Sequence, residues 1–199
     1  MNQGSSKQQL RAQLRETVQV AILDAAEELI ADRGLHAAPL AQIARRAGVA
    51  VGTLYNYFAD REAMIVALFE NRRAQLRPAL RTAIAAGRDL AFEPRLRQFV
   101  HDVLRVFEIH RRFIKVVIET EHLRLKSSTT GQDLGKGVEE VVEAGVIEGV
   151  IDRGRAELFA LTVIAALKGI VLRRISDGAP LLPDAVPLIE LLLDGARSR

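Results

Sequence analysis

The chain has 199 residues, of which 49% are hydrophobic and 27% charged, a composition typical of a globular protein long enough to bury a core. It contains no cysteine, which excludes a disulfide framework, a thiolate zinc site and a cysteine nucleophile. The net charge is +3, and the whole excess lies in residues 1–81, where 11 cationic residues stand against 8 acidic ones. This distribution favours a nucleic-acid-binding front segment followed by a neutral body.

The amino terminus is polar and has no apolar core of the kind found in signal peptides, and no apolar run approaches a membrane span. We therefore expect a soluble, cytoplasmic protein without a membrane partner. Residues 1–16 carry Lys7, Arg11 and Arg15 at helical spacing and are predicted to form a flexible basic tail, which could also extend the first helix. Such a tail could follow an adjacent DNA groove, or it could simply be solvated.

A three-helix domain is predicted over residues 17–60. Apolar residues recur every three or four positions over residues 17–33, which indicates an amphipathic helix that ends at Gly34. In residues 40–58, LAQIARRAGVAVGTLYNYF, two short helical patterns flank Gly48. This is the arrangement of a helix-turn-helix, whose second helix lies in the DNA major groove.

The charge pattern agrees with this interpretation. No acidic residue occurs between Asp32 and Asp60, so phosphates would meet little repulsion there. The second short helix carries a glycine, hydroxyls and an amide, which can approach and hydrogen-bond phosphates and base edges.

Residues 43–64, IARRAGVAVGTLYNYFADREAM, resemble the pattern IAxxAGVSxGTLYxHFxxKExL of the tetracycline-repressor (TetR) family of transcriptional regulators. Residues 22–35, ILDAAEELIADRGL, are similar to the first helix of that family. The resemblance covers about the first third of the chain. This chain departs from the pattern at Ala38-Pro39, Ala50, Val51 and Tyr57, where the family often has a Ser or Thr, a Ser cap, a Lys and a His.

The resemblance implies a homodimeric repressor that binds a palindromic operator and is released by a small apolar or amphipathic effector. The residues expected to contact DNA lie on and beside the second short helix. They are Arg45, Ala50, Val51, Gly52, Thr53, Tyr55, Asn56, Tyr57 and Arg61. Of these, Tyr55, Tyr57 and Arg61 are expected to hold phosphates.

Residues 61–199 are predicted to be a helical ligand-binding and dimerisation domain, which makes the fold class all-α. Breaks are expected at Pro78, Gly87 and Pro94, a loop over residues 126–137, and helices over residues 156–174 and beyond Asp184. No strand pattern appears.

The last two helices are expected to form the dimer interface as a four-helix bundle, following the family. Small residues allow close helix approach there, namely Ala160, Ala165, Ala166 and Gly169. A helix buried within one monomer would give the same pattern.

Effector binding is expected among the middle helices, although residues of this kind are more often simple core than ligand contacts. The candidates are Phe99, Val103, Phe107, Phe113, Val117, Leu123, Phe159, Thr162 and Val163. A polar cluster of Glu119, Glu121 and His122, with His101 and His110, could in principle hold a metal, but residues at a helix end are more often solvated. Neither a metal nor a cofactor is implied.

An enzyme is therefore not expected. The alternatives to a DNA-binding regulator are a helical protein-interaction module without sequence-specific DNA binding and, further away, a helical metal-dependent enzyme that uses the Glu119 cluster.

Overall fold

The computed structural model describes residues 3–119 and 129–196, and within these ranges every regular element is helical. The predicted all-α class is confirmed. In chain order the α-helices of the described residues are α1 (Gln3–Arg33), α2 (Leu40–Arg46), α3 (Val51–Tyr57), α4 (Arg61–Ala85), α5 (Phe92–Ile109), α6 (Arg111–Glu119), α7 (Thr129–Ile147), α8 (Ala156–Ser176) and α9 (Ala185–Ala196). Short 3₁₀ turns precede α8 and α9.

The described residues form two compact units. The first holds α1 to α3, α4 as far as Arg73, and the end of α6 from Val116; the second holds the remaining helices and helix segments. The boundary predicted after residue 60 falls at the start of α4, whereas the change of unit falls inside that continuous helix. No helix of the described residues is long and apolar enough to cross a membrane.

The expected tail at residues 1–16 is, from Gln3 onward, the beginning of α1. This segment therefore extends the first helix, as the sequence allowed, and its flexibility stays a prediction. Gln, Leu, Arg and Ala follow Gly4 without a proline, and all of them favour helix. The side chains of residues 6–17 are exposed, so this part of α1 projects without being covered.

The core of the first unit comes from the apolar stripes of its helices. Ile22, Ile43, Leu54 and Met64, one from each of α1 to α4, are fully buried. The buried guanidinium of Arg72 on α4 is compensated by α1, because its Nε donates to Glu27 Oε2 at 2.5 Å and a second nitrogen pairs with Asp24. Packing and this charge network together hold α1 against α4.

Two features of the second unit correct the sequence interpretation. Pro78 lies inside α4 rather than ending it; since Pro78 is exposed, water can satisfy the carbonyl left unpaired one turn earlier. The loop predicted over residues 126–137 is helical from Thr129, and residues 126–128 lie outside the described part. Asp133 of α7 accepts hydrogen bonds from Arg77 Nε at 2.8 Å and Arg81 Nε at 3.1 Å, which lowers the pKa of its carboxyl group.

The connection between α8 and α9 is held by polar contacts. Arg111 donates to the carbonyls of Gly178 and Ala179, just after α8. Asp184, expected to cap the last helix, instead accepts from Arg174 Nε at 2.5 Å and Nη2 at 2.6 Å. These hydrogen bonds lower the pKa of Asp184 and fix the place where α9 begins.

Candidate nucleic-acid interface

The turn between α2 and α3 is closed by backbone hydrogen bonds. Gly48 has φ +72°, a conformation that residues with a Cβ rarely adopt, and Val49 N–H donates to Ala44 O at 3.0 Å. Nothing lies within 4 Å of the position that a Cβ on Gly48 would take. The backbone angle rather than lack of space therefore requires glycine here, as the sequence indicated.

Helix α3 has one buried side and one exposed side. Leu54 is fully buried and Phe58, directly after the helix, is nearly so. On the opposite side Val51 is 40% exposed and Tyr55 51% exposed, and Gly52 and Asn56 are exposed with them. Since residues three or four positions apart share a helix face, these four form one open surface on a helix of the right diameter for a major groove.

The ends of this surface are formed by the other predicted contact residues. Ala50 is exposed before α3, while Thr53 and Tyr57 are half-buried on its flanks. No side chain caps α3, whose N-cap is Ala50, or α2, whose N-cap is Pro39. A missing cap weakens a helix by about 1 kcal/mol, so packing of Leu54 and Ile43 into the core holds these short helices.

The arginines near α2 differ in their surroundings. Arg46 makes a two-point contact with Glu28, one arm of which is Nε to Oε2 at 2.9 Å, and this pairing raises its pKa. Arg33 donates to Gln42 at 3.0 Å. Arg45 is exposed and makes no ion pair with any described residue. Arg33 and Arg46 would each have to leave a partner in order to bind a phosphate. Within the described part of the chain, Arg45 would not.

This arrangement was not visible from the acid-free window in the sequence. Glu28 and Asp32 of α1 come back to α2 in space and line a polar pocket of about 480 Å³ together with Arg45 and Arg46. The positive charge available to DNA is therefore smaller than the count of arginines suggested.

Arg61 and Tyr57 occupy the junction between α3 and α4. Arg61 is half-buried, and its buried Nη2 has no hydrogen-bond partner among the described residues. Asp60 starts α4 as predicted, because its Oδ1 accepts from Ala63 N at 2.7 Å. The guanidinium of Arg15 lies over the Tyr57 ring, 5.7 Å from its centroid, which is a cation–π contact. Sequence reasoning missed this contact, since only the four-residue spacing of the cations pointed to Arg15.

The predicted effector residues divide into three groups. Phe99, Val103, Phe113 and Val163 are buried, and Phe107, Val117 and Phe159 are half-buried. Thr162 is exposed and its hydroxyl donates to Leu158 O at 2.8 Å, so it belongs to the outer side of α8 rather than to an interior site. Leu123 lies outside the described residues.

Phe99, one of the buried candidates, is closely packed against α7. A Cβ on Gly137 of α7 would lie 3.0 Å from a ring carbon of Phe99, so α7 comes very close to α5. Neither the polar pocket on α1 and α2 nor a second pocket of about 520 Å³ on α8 and α9 is lined by any of the predicted effector residues.

The predicted metal cluster falls largely outside the described residues. Glu121, His122 and the side chain of Glu119 lie outside the described part of the structure. His101 is exposed and approaches Asp102 at 3.2 Å, and His110 is half-buried. Within the described ranges no group of three His, Asp or Glu side chains is arranged to hold a metal ion.

Comparison with known proteins places the helix-turn-helix in a family. The sequence model of the bacterial regulatory proteins of the tetR family matches residues 22–68, which include all of α2 and α3. Residues 22–68 are thus similar to the tetR family of bacterial regulators. The match therefore contains the whole exposed surface of α3.

Two curated TetR relatives match over the front of the chain. The fatty acid metabolism regulator protein of Bacillus subtilis (strain 168) is 44% identical over 54 residues, which is 27% of this chain and 28% of that protein. The HTH-type transcriptional regulator BetI of Escherichia coli is 38% identical over 79 residues, 40% of each protein. The chain thus spans less than half the length of these relatives in the matched region.

Solved structures extend the likeness of fold to most of the chain. The fatty acid degradation regulator FadR from Bacillus halodurans superposes with a TM-score of 0.70 at 25% identity and covers 91% of this chain and 97% of that one. FadR from Bacillus subtilis, solved in complex with stearoyl-CoA, gives 0.63 at 22% identity over 88% and 98%. PfmR, a TetR family regulator from Thermus thermophilus, gives 0.69 at 20% over 87% and 97%. A body of TetR architecture thus follows the DNA-binding helices.

Proposed function

We propose that this protein is a homodimeric transcriptional repressor of the TetR type that binds a palindromic DNA operator through α3 and leaves it when a small effector binds. The observation that carries the proposal is the open surface of Val51, Gly52, Tyr55 and Asn56 on a helix inside the segment matched to the family. A regulator of this kind works in the cytoplasm, where bacterial DNA lies.

Some of the exposed residues suit contacts with DNA bases, and others suit contacts with phosphates. Gly52 has nothing within 4 Å of its Cβ position and lets the backbone approach the groove, and the Asn56 amide can pair with adenine. Ala50, Val51 and Thr53 complete the groove-facing set. Tyr55, Tyr57 and Arg61 are assigned to phosphates, and the exposed Arg45 adds a fourth contact.

The dimer is assigned to the outer side of α8 and α9. Leu158 is 68% exposed and Leu191 72% exposed, which is unusual for leucines in a helical core. Gly169 is exposed, and nothing occupies the space next to its Cβ position, so another helix can come close. The groove of about 520 Å³ beside Gly169 and Leu191 gives the opposing copy a recess, and a two-fold axis would bring two α3 helices to half-sites about 34 Å apart or a multiple of it.

The effector is proposed to be apolar or amphipathic and to enter among Phe99, Val103, Phe107, Phe113 and Val163. Because these side chains are packed in the described state, binding would require α7 to move away from α5. The stearoyl-CoA bound to one FadR structure makes long-chain acyl-CoA the first class of ligand to test on this chain. Such a ligand lowers operator affinity only if it binds the released conformation more tightly.

The DNA part of the proposal is tested by selecting bound sequences from random duplex DNA. We expect an enriched motif with two inverted half-sites, and an affinity for it that falls steeply as salt rises. A protein-interaction module would enrich no motif, and a motif without inverted symmetry would refute the dimer.

The effector part is tested separately on the selected operator. Palmitoyl-CoA should release the protein from a fluorescently labelled duplex, whereas acetyl-CoA, which carries the same charged group without the long chain, should not. Release by both compounds, or by neither, would refute a long-chain acyl effector. The assignment of α3 as the DNA-binding helix would be unaffected.

A further inference from the structure

The exposed beginning of α1 carries a row of cations. Lys7, Arg11 and Arg15 are spaced four residues apart, so they lie along one side of the helix. All three are exposed. Residues 1–15 contain no Asp or Glu, and the first carboxylate is that of Glu16, which points about 100° away from Arg15 around the helix. No acidic residue within this segment offsets the row.

Two observations show which side of α1 carries these cations. Arg15 and Ile22 are seven residues apart and therefore share a helix face, and Ile22 is fully buried in the core of the first unit. The Arg15 guanidinium lies over the ring of Tyr57, the last residue of α3. The cations thus continue the side by which α1 faces the helix-turn-helix, and they begin where the proposed reading helix ends.

We infer that Lys7, Arg11 and Arg15 form a second DNA contact, which holds the phosphates of base pairs just outside each half-site. The inference rests on the proposed function, because it needs α3 to lie in a major groove. From Arg15 to Lys7 the helix rises about 12 Å, which corresponds to three or four base pairs. Arg15 has a double role, since its guanidinium lies over the Tyr57 ring while its N–H groups bind phosphate.

An anionic membrane is the competing partner for this segment. Leu10 and Leu14 are each 57% exposed on the flank of the same helix, and cations beside leucines are typical of helices that lie on a lipid surface. Two leucines make a small apolar area, however, and the contact of Arg15 with α3 connects the row to the DNA-binding surface. Duplex DNA is therefore the partner that the structure favours.

The test neutralises the row and measures the salt dependence of binding. The triple variant Lys7→Gln, Arg11→Gln, Arg15→Gln keeps helix propensity nearly unchanged and removes three exposed charges. Its matched control neutralises three exposed cations of the second unit, Arg112→Gln, Lys136→Gln and Arg155→Gln. Both are compared with the parent on the selected operator alone and on the same operator lengthened by six base pairs at each end.

Each lost phosphate contact lowers the slope of log affinity against log salt by about 0.9, so three contacts in each protomer correspond to about 5 per dimer. We expect this loss for the triple variant on the long duplex, little loss on the short one, and the parental slope for the control. A triple variant that matches the parent on the long duplex while the parent binds its operator would overturn this inference and leave the proposed function intact.

The remaining outcomes are also decisive. A parent that shows no salt-dependent duplex binding removes the proposed function itself. Binding of the parent to phosphatidylglycerol vesicles that the triple variant loses, with an unchanged slope on DNA, would assign the row to a membrane and overturn the inference.

Discussion

Arg45 and Arg46 are adjacent at the end of α2, yet only Arg46 is paired with a carboxylate of a described residue. Arg46 is held by Glu28 of α1, so its charge is already matched and its side chain is anchored. Arg45 is exposed and has no ion pair with a described residue. When a cation that is already paired with a carboxylate approaches DNA, fewer counterions are released from the DNA, because the paired cation attracts the phosphate less.

We therefore expect Arg45→Gln, which removes one phosphate contact from each protomer, to reduce the salt slope of operator binding by about 2 per dimer, measured by fluorescence anisotropy at several salt concentrations. Arg46→Gln should leave that slope unchanged and should lower the thermal midpoint slightly, because the ion pair with Glu28 is lost. Equal effects of the two substitutions on the slope would show that the ion pair to Glu28 opens on DNA.

At this scale the sequence predicted local geometry well and distant partners poorly. The exposure of Tyr55 and the burial of Leu54 follow from helical spacing alone, as does the need for glycine at position 48. The pairing of Arg46 with Glu28 and that of Arg72 with Glu27 join residues 18 and 45 positions apart. Such contacts depend on how the helices cross, which no local pattern encodes.

Helix α7 illustrates how glycine can mislead at the scale of an element. Its Gly-rich start predicts a loop, but Gly137 lies within the helix. Glycine is needed there because a Cβ would lie 2.6 Å from Ile84 Cγ2. Gly135, two residues earlier, has nothing within 4 Å of its Cβ position. Composition marked both as breakers, whereas only the packed structure distinguishes them.

The two glycines make a matched pair of variants. Gly137→Ala should lower the free energy of unfolding by about 1 to 3 kcal/mol, since a methyl group is forced into a filled core. Gly135→Ala should raise it by about 0.5 to 1 kcal/mol through better helix propensity. Urea denaturation followed by circular dichroism measures both, and a Gly137→Ala protein as stable as the parent would contradict the close packing of α7.

The lengths of α1 and α4 were also beyond local reasoning. Periodicity located the amphipathic part of α1 from residue 17, where one face becomes buried, but the helix begins at Gln3 and the side chains of residues 6–17 are exposed. Pro78 is a strong helix breaker in isolation, and α4 nevertheless passes through it. The order of the helices was therefore predictable from the sequence, while several of their ends were not.

On the scale of the whole molecule, the proposed repressor requires two copies. A single α3 surface is small, and reading a palindrome demands a second one at a fixed distance. The exposed leucines of α8 and α9 are the part of the described structure that a second copy would cover. Charged groups line the groove beside Leu191, but they are already paired, Arg173 with Asp177 and Arg174 with Asp184.

Charges placed on that surface should separate the dimer. We expect Leu161→Glu with Leu191→Glu to sediment as a monomer of 21.9 kDa and to lose most of its operator affinity while remaining helical. The control, Ile109→Glu with Ile147→Glu, places the same charges on exposed isoleucines elsewhere and should remain dimeric. A dimeric Leu161 and Leu191 variant would locate the interface away from α8 and α9.

The most direct measurement is operator binding by Tyr55→Ala, because Tyr55 is the largest exposed side chain of α3. Val66→Ala, a truncation on the exposed side of α4 in the same unit, is the control. With both proteins folded, Tyr55→Ala should bind the selected operator at least about tenfold more weakly, whereas Val66→Ala binds like the parent. Parental affinity in the Tyr55→Ala protein would contradict the assignment of α3 as the DNA-reading helix.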